Sequence, residues 1–139
     1  MGVRVRIQIK TKEASIATSA LVNSGFESCM PEIILPPKLA EILGLRGSSV
    51  AVYHVAGGGA TSGIRVDERL HVKLILSDRK TEEIEVIGTI LPGEDEVLIS
   101  DKLASELGIV IIDPYRGSWC LRDELGKKIR EPAETQVWK

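Results

Sequence analysis

A fourteen-residue pattern in this chain occurs twice. Glu32-Ile33-Ile34-Leu35-Pro36-Pro37-Lys38-Leu39-Ala40-Glu41-Ile42-Leu43-Gly44-Leu45 aligns without gaps with Glu96-Val97-Leu98-Ile99-Ser100-Asp101-Lys102-Leu103-Ala104-Ser105-Glu106-Leu107-Gly108-Ile109, 64 residues further on, with Lys-Leu-Ala-x-x-Leu-Gly identical in both. The period is too long and the copies too few for a solenoid. The repeat predicts one domain over 1–139, built from two halves related by a pseudo-twofold. These halves cover about 14–45 and 78–109, each a strand, a hairpin and a short helix, and an extension over about 113–139 follows. A chain of 139 residues, 43% of them hydrophobic, can bury a core without disulfides or metal.

Local patterns fill in the halves. Val3 to Lys10 alternates apolar and polar side chains, as a half-buried strand does. Ala14 to Val22 mixes β-branched and small residues and predicts a strand covered on both faces. After a loop over Phe26 to Met30, the run Ile33-Ile34-Leu35 leads into Pro36-Pro37. Leu39, Ile42 and Leu43 then recur at helical spacing up to Gly44, which specifies a helix of about two turns. Val50 to Val55 and the alternating stretch Thr61 to Leu76 flank Ala56-Gly57-Gly58-Gly59-Ala60 and predict a hairpin with a mobile tip. Ser77 to Lys80 reads as a turn, and Ile84 to Ile90 as another strand. The fold class is mainly β with two short helices.

Several function classes are disfavoured. The net charge is -2 and the longest basic run is Lys127-Lys128, which does not indicate a nucleic-acid surface. The N-terminus lacks the apolar core of a signal peptide, and no stretch approaches the about 18 apolar residues of a membrane span. The expectation is a soluble, cytoplasmic protein without nucleic-acid or membrane partners. Gly57 to Gly63 is not followed by Lys-Ser or Lys-Thr or by a helical pattern, so it does not read as a phosphate cradle. Cys29 and Cys120 belong to no CxxC pair and are expected as free buried thiols, with a disulfide as the alternative. His54 and His71 have no ligand neighbours at metal spacing and read as strand residues; no metal or cofactor is implied.

The candidate chemistry lies at Asn23-Ser24-Gly25, where the apolar run Ala20-Leu21-Val22 stops at a carboxamide, a hydroxyl and a glycine. By itself this is an ordinary turn signal. Its context adds to it. Ala-Leu-Val-Asn-Ser-Gly is followed by Leu-Pro-Pro-Lys-Leu-Ala-Glu-Ile-Leu-Gly-Leu, by the glycine-rich hairpin, and by Val-Leu-Ile-Ser-Asp-Lys-Leu-Ala. In this order the chain resembles the retropepsin-like aspartic proteases over roughly Val3 to Ile112.

The resemblance implies an acid-protease barrel in which Asn23 stands at the catalytic aspartate position, Ser24 at that of the supporting hydroxyl, and Gly25 completes the triplet. His54, Val55, Ala56, Gly57, Gly58 and Gly59 fall in a flap over the substrate, the whole flap running from His54 to Gly63. It also implies an endopeptidase acting on extended or unfolded polypeptides, and a homodimer, because one chain supplies one triplet and the chemistry needs two carboxylates sharing a proton. The N-terminal strand and the tail Trp119 to Trp138 are candidates to extend that interface. Three positions depart from the family pattern: Asn23, Phe26 where alanine is common, and Ser100 where the second motif usually has glycine. A carboxamide cannot act as a general base, so the chain as written is expected to be inactive by this route. Asn23 is the sole asparagine of the chain, which favours an engineered aspartate-to-asparagine change. The alternative is a natural pseudoprotease that binds peptides as a dimeric module.

Overall fold

The computed structural model describes residues 2–139. In chain order the elements are β1 (Arg4–Lys10), β2 (Ser15–Val22), β3 (Glu32–Leu35), α1 (Pro37–Ile42), β4 (Gly47–His54), β5 (Ala60–Val66), β6 (Leu70–Leu74), β7 (Ile84–Ile90), β8 (Val97–Ile99), α2 (Asp101–Leu107), β9 (Ile109–Asp113) and β10 (Ser118–Leu121), with a 3-10 turn over Arg122–Glu124. Among the described residues, six strands in the order β3-β8-β2-β1-β6-β7 close into a barrel through the β3–β7 pairing. The β5–β4 hairpin continues outward from β7.

The alternation of β1 holds throughout: Val3, Val5, Ile7 and Ile9 are buried, while Arg6 and Lys10 are exposed. They pack with Ile33, Leu35, Leu70, Val72, Val86 and Ile99 inside the barrel, and Leu39 and Leu103 of the two helices join the same cluster. Removing this apolar surface from water is the main force that closes the barrel. The two helices end differently at their starts. Pro37 opens α1 without a side-chain cap, whereas the Ser100 hydroxyl caps α2 by accepting from Leu103 N–H at 3.2 Å.

The pseudo-twofold is visible in the strand register. Antiparallel pairing relates β3 to β8 and β1 to β6, while the parallel pair β2–β8 has its counterpart in β3–β7. Ala20 pairs with Val97 and Gly88 pairs with Ile33. Since Ile33 and Val97 correspond in the repeat, Ala20 corresponds to Gly88, an offset of 68 residues rather than 64. The sequence offset places Asn23 on Ile87, and the fold corrects this to Leu91. Asn23 N–H donates to Ile99 C=O at 3.1 Å and Leu91 N–H donates to Leu35 C=O at 3.1 Å, equivalent bonds in the two halves. From Ala20 to Ile33 is four residues further than between their equivalents Gly88 and Val97, and an ungapped alignment cannot register that change.

Other expectations are revised. The stretch Thr61 to Leu76 breaks at Asp67–Arg69 into β5 and β6. Strand β2 is covered at Thr18, Ser19 and Ala20, but its start is exposed at Ser15. Ile42 of α1 faces solvent. Cys120 is buried and Cys29 exposed, both free. Both edges of the N-terminal strand are engaged within the chain: β1 pairs along its whole length with β2, pairs with β6 over Ile7–Lys10, and receives the tail where Ala133 N–H donates to Arg4 C=O. The tail packs on the same chain. Gln136 N–H donates to Ser19 Oγ, Trp138 N–H to Asp95 C=O, and the Trp138 indole N–H to Thr18 Oγ1 at 3.0 Å. No helix of the described residues is long and apolar enough to cross a membrane.

Candidate functional site

Asn23 leaves the end of β2 where that strand runs parallel to β8, so its turn sits at the rim of the barrel. Its Oδ1 accepts from Gly25 N–H at 3.1 Å, and its own carbonyl accepts from Phe26 N–H at 3.0 Å, which folds the triplet into a tight turn. Asp101 N–H donates to Phe26 C=O and Ser28 N–H donates to Asp101 Oδ1, tying the following loop to the start of α2. Gly25 is not in the left-handed region, and a Cβ there would meet only Asn23 Oδ1, at 3.3 Å. Glycine is therefore not demanded by the turn itself. Its lack of a side chain leaves the outer side of the triplet open.

A cleft of about 690 Å³ lies between this turn and the β4–β5 hairpin. Asn23, Gly25 and Phe26 form one side; Val52, Tyr53, His54, Val55 and Ala56 form the other; Ile34, Leu91 and Leu98 lie between. The fold thus brings Asn23 and Gly25 together with His54, Val55 and Ala56. Ser24 is exposed and does not line the cleft, and Gly57 to Gly59 form the hairpin tip outside its lining. The tip closes with Val55 N–H on Gly59 C=O at 3.0 Å, and Gly57 and Gly58 adopt φ values of 92 and 86 in open space.

The cleft is apolar with acidic groups at its edge. Glu27 and Glu94 line it and no lysine or arginine does. Burial, followed by the neighbouring Asp95 and Glu96 charges, pushes the Glu94 carboxyl above the ordinary carboxylate range. The turn equivalent to the triplet is Leu91-Pro92-Gly93, closed in the same way by Glu94 N–H on Leu91 C=O at 3.3 Å. One chain therefore presents one polar turn and one apolar turn with the same backbone closure, although Gly93 is left-handed at φ 91 and Gly25 is not. Among the described residues, no group of three or more His, Cys, Asp or Glu could hold a metal ion. The exposed His54 and His71 are strand residues.

Sequence reasoning missed the group behind the cleft. Tyr53, whose ring meets Phe26 edge-on at 5.8 Å, donates its hydroxyl to the carboxylate of Glu32, a residue 3% exposed. Thr89, Arg65 and Ser28 complete the surroundings of that carboxylate. A signal was present: the repeated segment opens on Glu32 in one half and Glu96 in the other, and a charge preserved ahead of an apolar strand has a partner to meet. Glu96 meets Arg4 bidentately at 2.8 and 2.9 Å.

No protein-family model matches the chain, and no curated protein matches it.

Proposed function

We propose that the chain is a retropepsin-like aspartic endopeptidase fold, acting on extended polypeptides as a homodimer, and held inactive by Asn23. The observation that carries this reading is the position of Asn23 on a tight turn in an apolar cleft beneath a glycine-tipped hairpin. Apolar walls and the free outer edge of β4, the last strand of the sheet, suit an extended peptide bound as an added strand. Because the second turn of the same chain carries Leu91, a pair of facing carboxylates requires two copies of the chain with aspartate at position 23. The open outer side of Gly25 leaves room for that approach. Strand β9 pairs only with β10 among the described residues, and its exposed Ile111 and Ile112 offer further apolar surface to a second copy.

The chemistry follows from the carboxylate pair. Held together they share one proton: the ionised group takes a proton from water as it attacks the peptide carbonyl, and the protonated group hydrogen-bonds the carbonyl oxygen. The Asn23 carboxamide can donate a hydrogen bond but cannot take up the proton. That same observation favours a second reading, a peptide-binding module that uses the cleft without cutting.

Asn23→Asp separates the two readings. The variant is expected to fold, to sediment as a dimer of the 15.1 kDa chain, and to cut a denatured protein in an acid-favoured manner, with new termini appearing as pH falls and vanishing when both carboxylates are protonated. A folded, dimeric Asn23→Asp protein that produces no new termini from acid to neutral pH leaves the binding module as the function.

A further inference from the structure

We infer that Glu32 is a positioning residue that sets the width of the cleft by fastening its two walls to the two oxygens of one buried carboxylate. This role rests on the cleft beneath the hairpin being the place where peptide binds. Oε1 of Glu32 accepts from Ser28 Oγ at 2.9 Å, and Ser28 belongs to the loop that carries Asn23, Gly25 and Phe26. Oε2 accepts from the Tyr53 hydroxyl and from Thr89 Oγ1 at 3.1 Å, with Arg65 Nη2 at 3.5 Å. Tyr53 lies near the tip end of β4, paired with Thr61, and Arg65 lies on the other strand, β5, where the hairpin joins β7, with Nε donating to Thr89 Oγ1 at 3.0 Å. Glu32 itself is fixed in the barrel, since its N–H donates to the Ser100 hydroxyl at 3.1 Å.

The arrangement differs from a generic buried ion pair. Each oxygen serves a different wall, so the separation between the triplet loop and the hairpin strand at Tyr53 is set by the carboxylate. Neither wall reaches the other through the backbone alone; they meet directly where the Tyr53 ring packs edge-on against Phe26. Burial first, and hydrogen bonding to Glu32 second, push the Tyr53 hydroxyl above its ordinary range, so it remains a donor to the carboxylate. A buried network of this kind is well defined only when every member is satisfied, and among the described residues no fully buried side-chain polar atom lacks a partner. The hairpin is then fixed as far as Tyr53 and free beyond it at Gly57 and Gly58, which places closure in the tip while the strands below keep the floor of the cleft constant.

Three variants of the full chain separate this role from general stabilisation. Tyr53→Phe keeps the ring on Phe26 and removes the hydroxyl from Glu32 and Thr89, leaving Arg65 as the hairpin's remaining contact with the carboxylate; Ser28→Ala removes the loop link together with the long bond from Met30 N–H; Glu32→Gln sets an NH2 group against hydroxyl and guanidinium donors and disturbs both walls. Amide hydrogen exchange without ligand is expected to rise about tenfold at Tyr53–Val55 in Tyr53→Phe, at Phe26–Ser28 in Ser28→Ala, and at both in Glu32→Gln, while Arg4–Lys10 keeps its protection. Combined with Asn23→Asp and assayed on fluorescein-labelled denatured casein, Tyr53→Phe is expected to raise KM about three- to tenfold and change kcat by less than about twofold, as lost uniform binding does. Exchange that rises equally over Arg4–Lys10, or that stays unchanged at both walls in the folded variants, overturns the inference, as does a loss in kcat at constant KM. If Asn23→Asp cuts nothing, the endopeptidase reading falls on that result alone, and the exchange pattern still decides whether Glu32 couples the walls.

Discussion

Asn23 and Leu91 occupy equivalent positions at the ends of β2 and β7, each donating its N–H to the neighbouring parallel strand, yet one is a carboxamide and the other a buried isobutyl group. The backbone bonds are the same, and the Asn23 side chain adds one that leucine cannot make, its Oδ1 accepting from Gly25 N–H at 3.1 Å. Ser100, where glycine was expected, likewise serves the fold. Its hydroxyl caps α2 through Leu103 N–H and also accepts from Glu32 N–H, so one buried oxygen satisfies two backbone donors. Ser100→Ala is expected to lower the unfolding free energy by about 1–3 kcal/mol, from the lost cap and the stranded Glu32 N–H. The urea midpoint at neutral pH measures it, and a change below about 0.5 kcal/mol would mean that water or a shifted backbone replaces the hydroxyl.

The β4–β5 hairpin projects from the barrel through β5, which pairs with β7 at Ile64 and Arg65, while β4 forms the outer edge with Val50 and Val52 exposed. Gly57 and Gly58 turn the tip in the left-handed region, where a Cβ meets no neighbour but the backbone itself is disfavoured for other residues. Gly57→Ala and Gly58→Ala are therefore each expected to lower the unfolding free energy by about 1–2 kcal/mol unless the tip rearranges, and to weaken ligand closure. Val55 to Thr61 should also exchange faster than Leu21 or Leu98 in the free chain. Equal protection at the tip and the barrel would remove the support for a moving hairpin. This element was legible in the sequence because glycines between two alternating runs have a local meaning. So were β1, both helices and the repeat, which rest on periodicity, proline, glycine and Lys-Leu-Ala-x-x-Leu-Gly. What the sequence did not disclose was non-local. The four-residue difference between the halves displaced the match of Asn23 from Leu91 to Ile87. The meeting of Glu32 with Tyr53, 21 residues away, depends on β7 pairing with both β3 and the β5–β4 hairpin. The tail's contacts with Thr18, Ser19 and Asp95 are likewise between residues distant in sequence.

At the scale of the whole molecule, the tail is held on by a continuous ion lattice. Arg130 donates to Glu124 at 2.7 and 2.9 Å and to Asp78 at 2.9 and 3.0 Å, Lys128 joins Asp78 at 2.6 Å, and Arg79 bridges Asp123 and Glu124. Arg130 also lies over the Trp119 ring at 5.7 Å, so the lattice grips both the tail and β10. Hydrogen bonding to Arg130 lowers the Glu124 carboxyl to about 2, and the Arg130 and Lys128 groups hold Asp78 well below the ordinary range. A carboxylate whose folded value is depressed adds stability that is fully present above its unfolded value, about 4, and lost as pH falls through the folded one. The lattice should thus weaken between about pH 4 and the Glu124 value of about 2. An acid-favoured carboxylate pair works close to the upper end of that window, so the tail would loosen only as the proposed chemistry itself is switched off. Urea midpoints of the unsubstituted chain and Arg130→Gln at several pH values test the sign. The variant is expected to be the less stable at pH 6, with the gap closing as pH approaches 2. A gap of constant size would assign Arg130 to packing on Trp119, because a ring contact with an always-charged guanidinium does not titrate in this range, whereas a carboxylate lattice must.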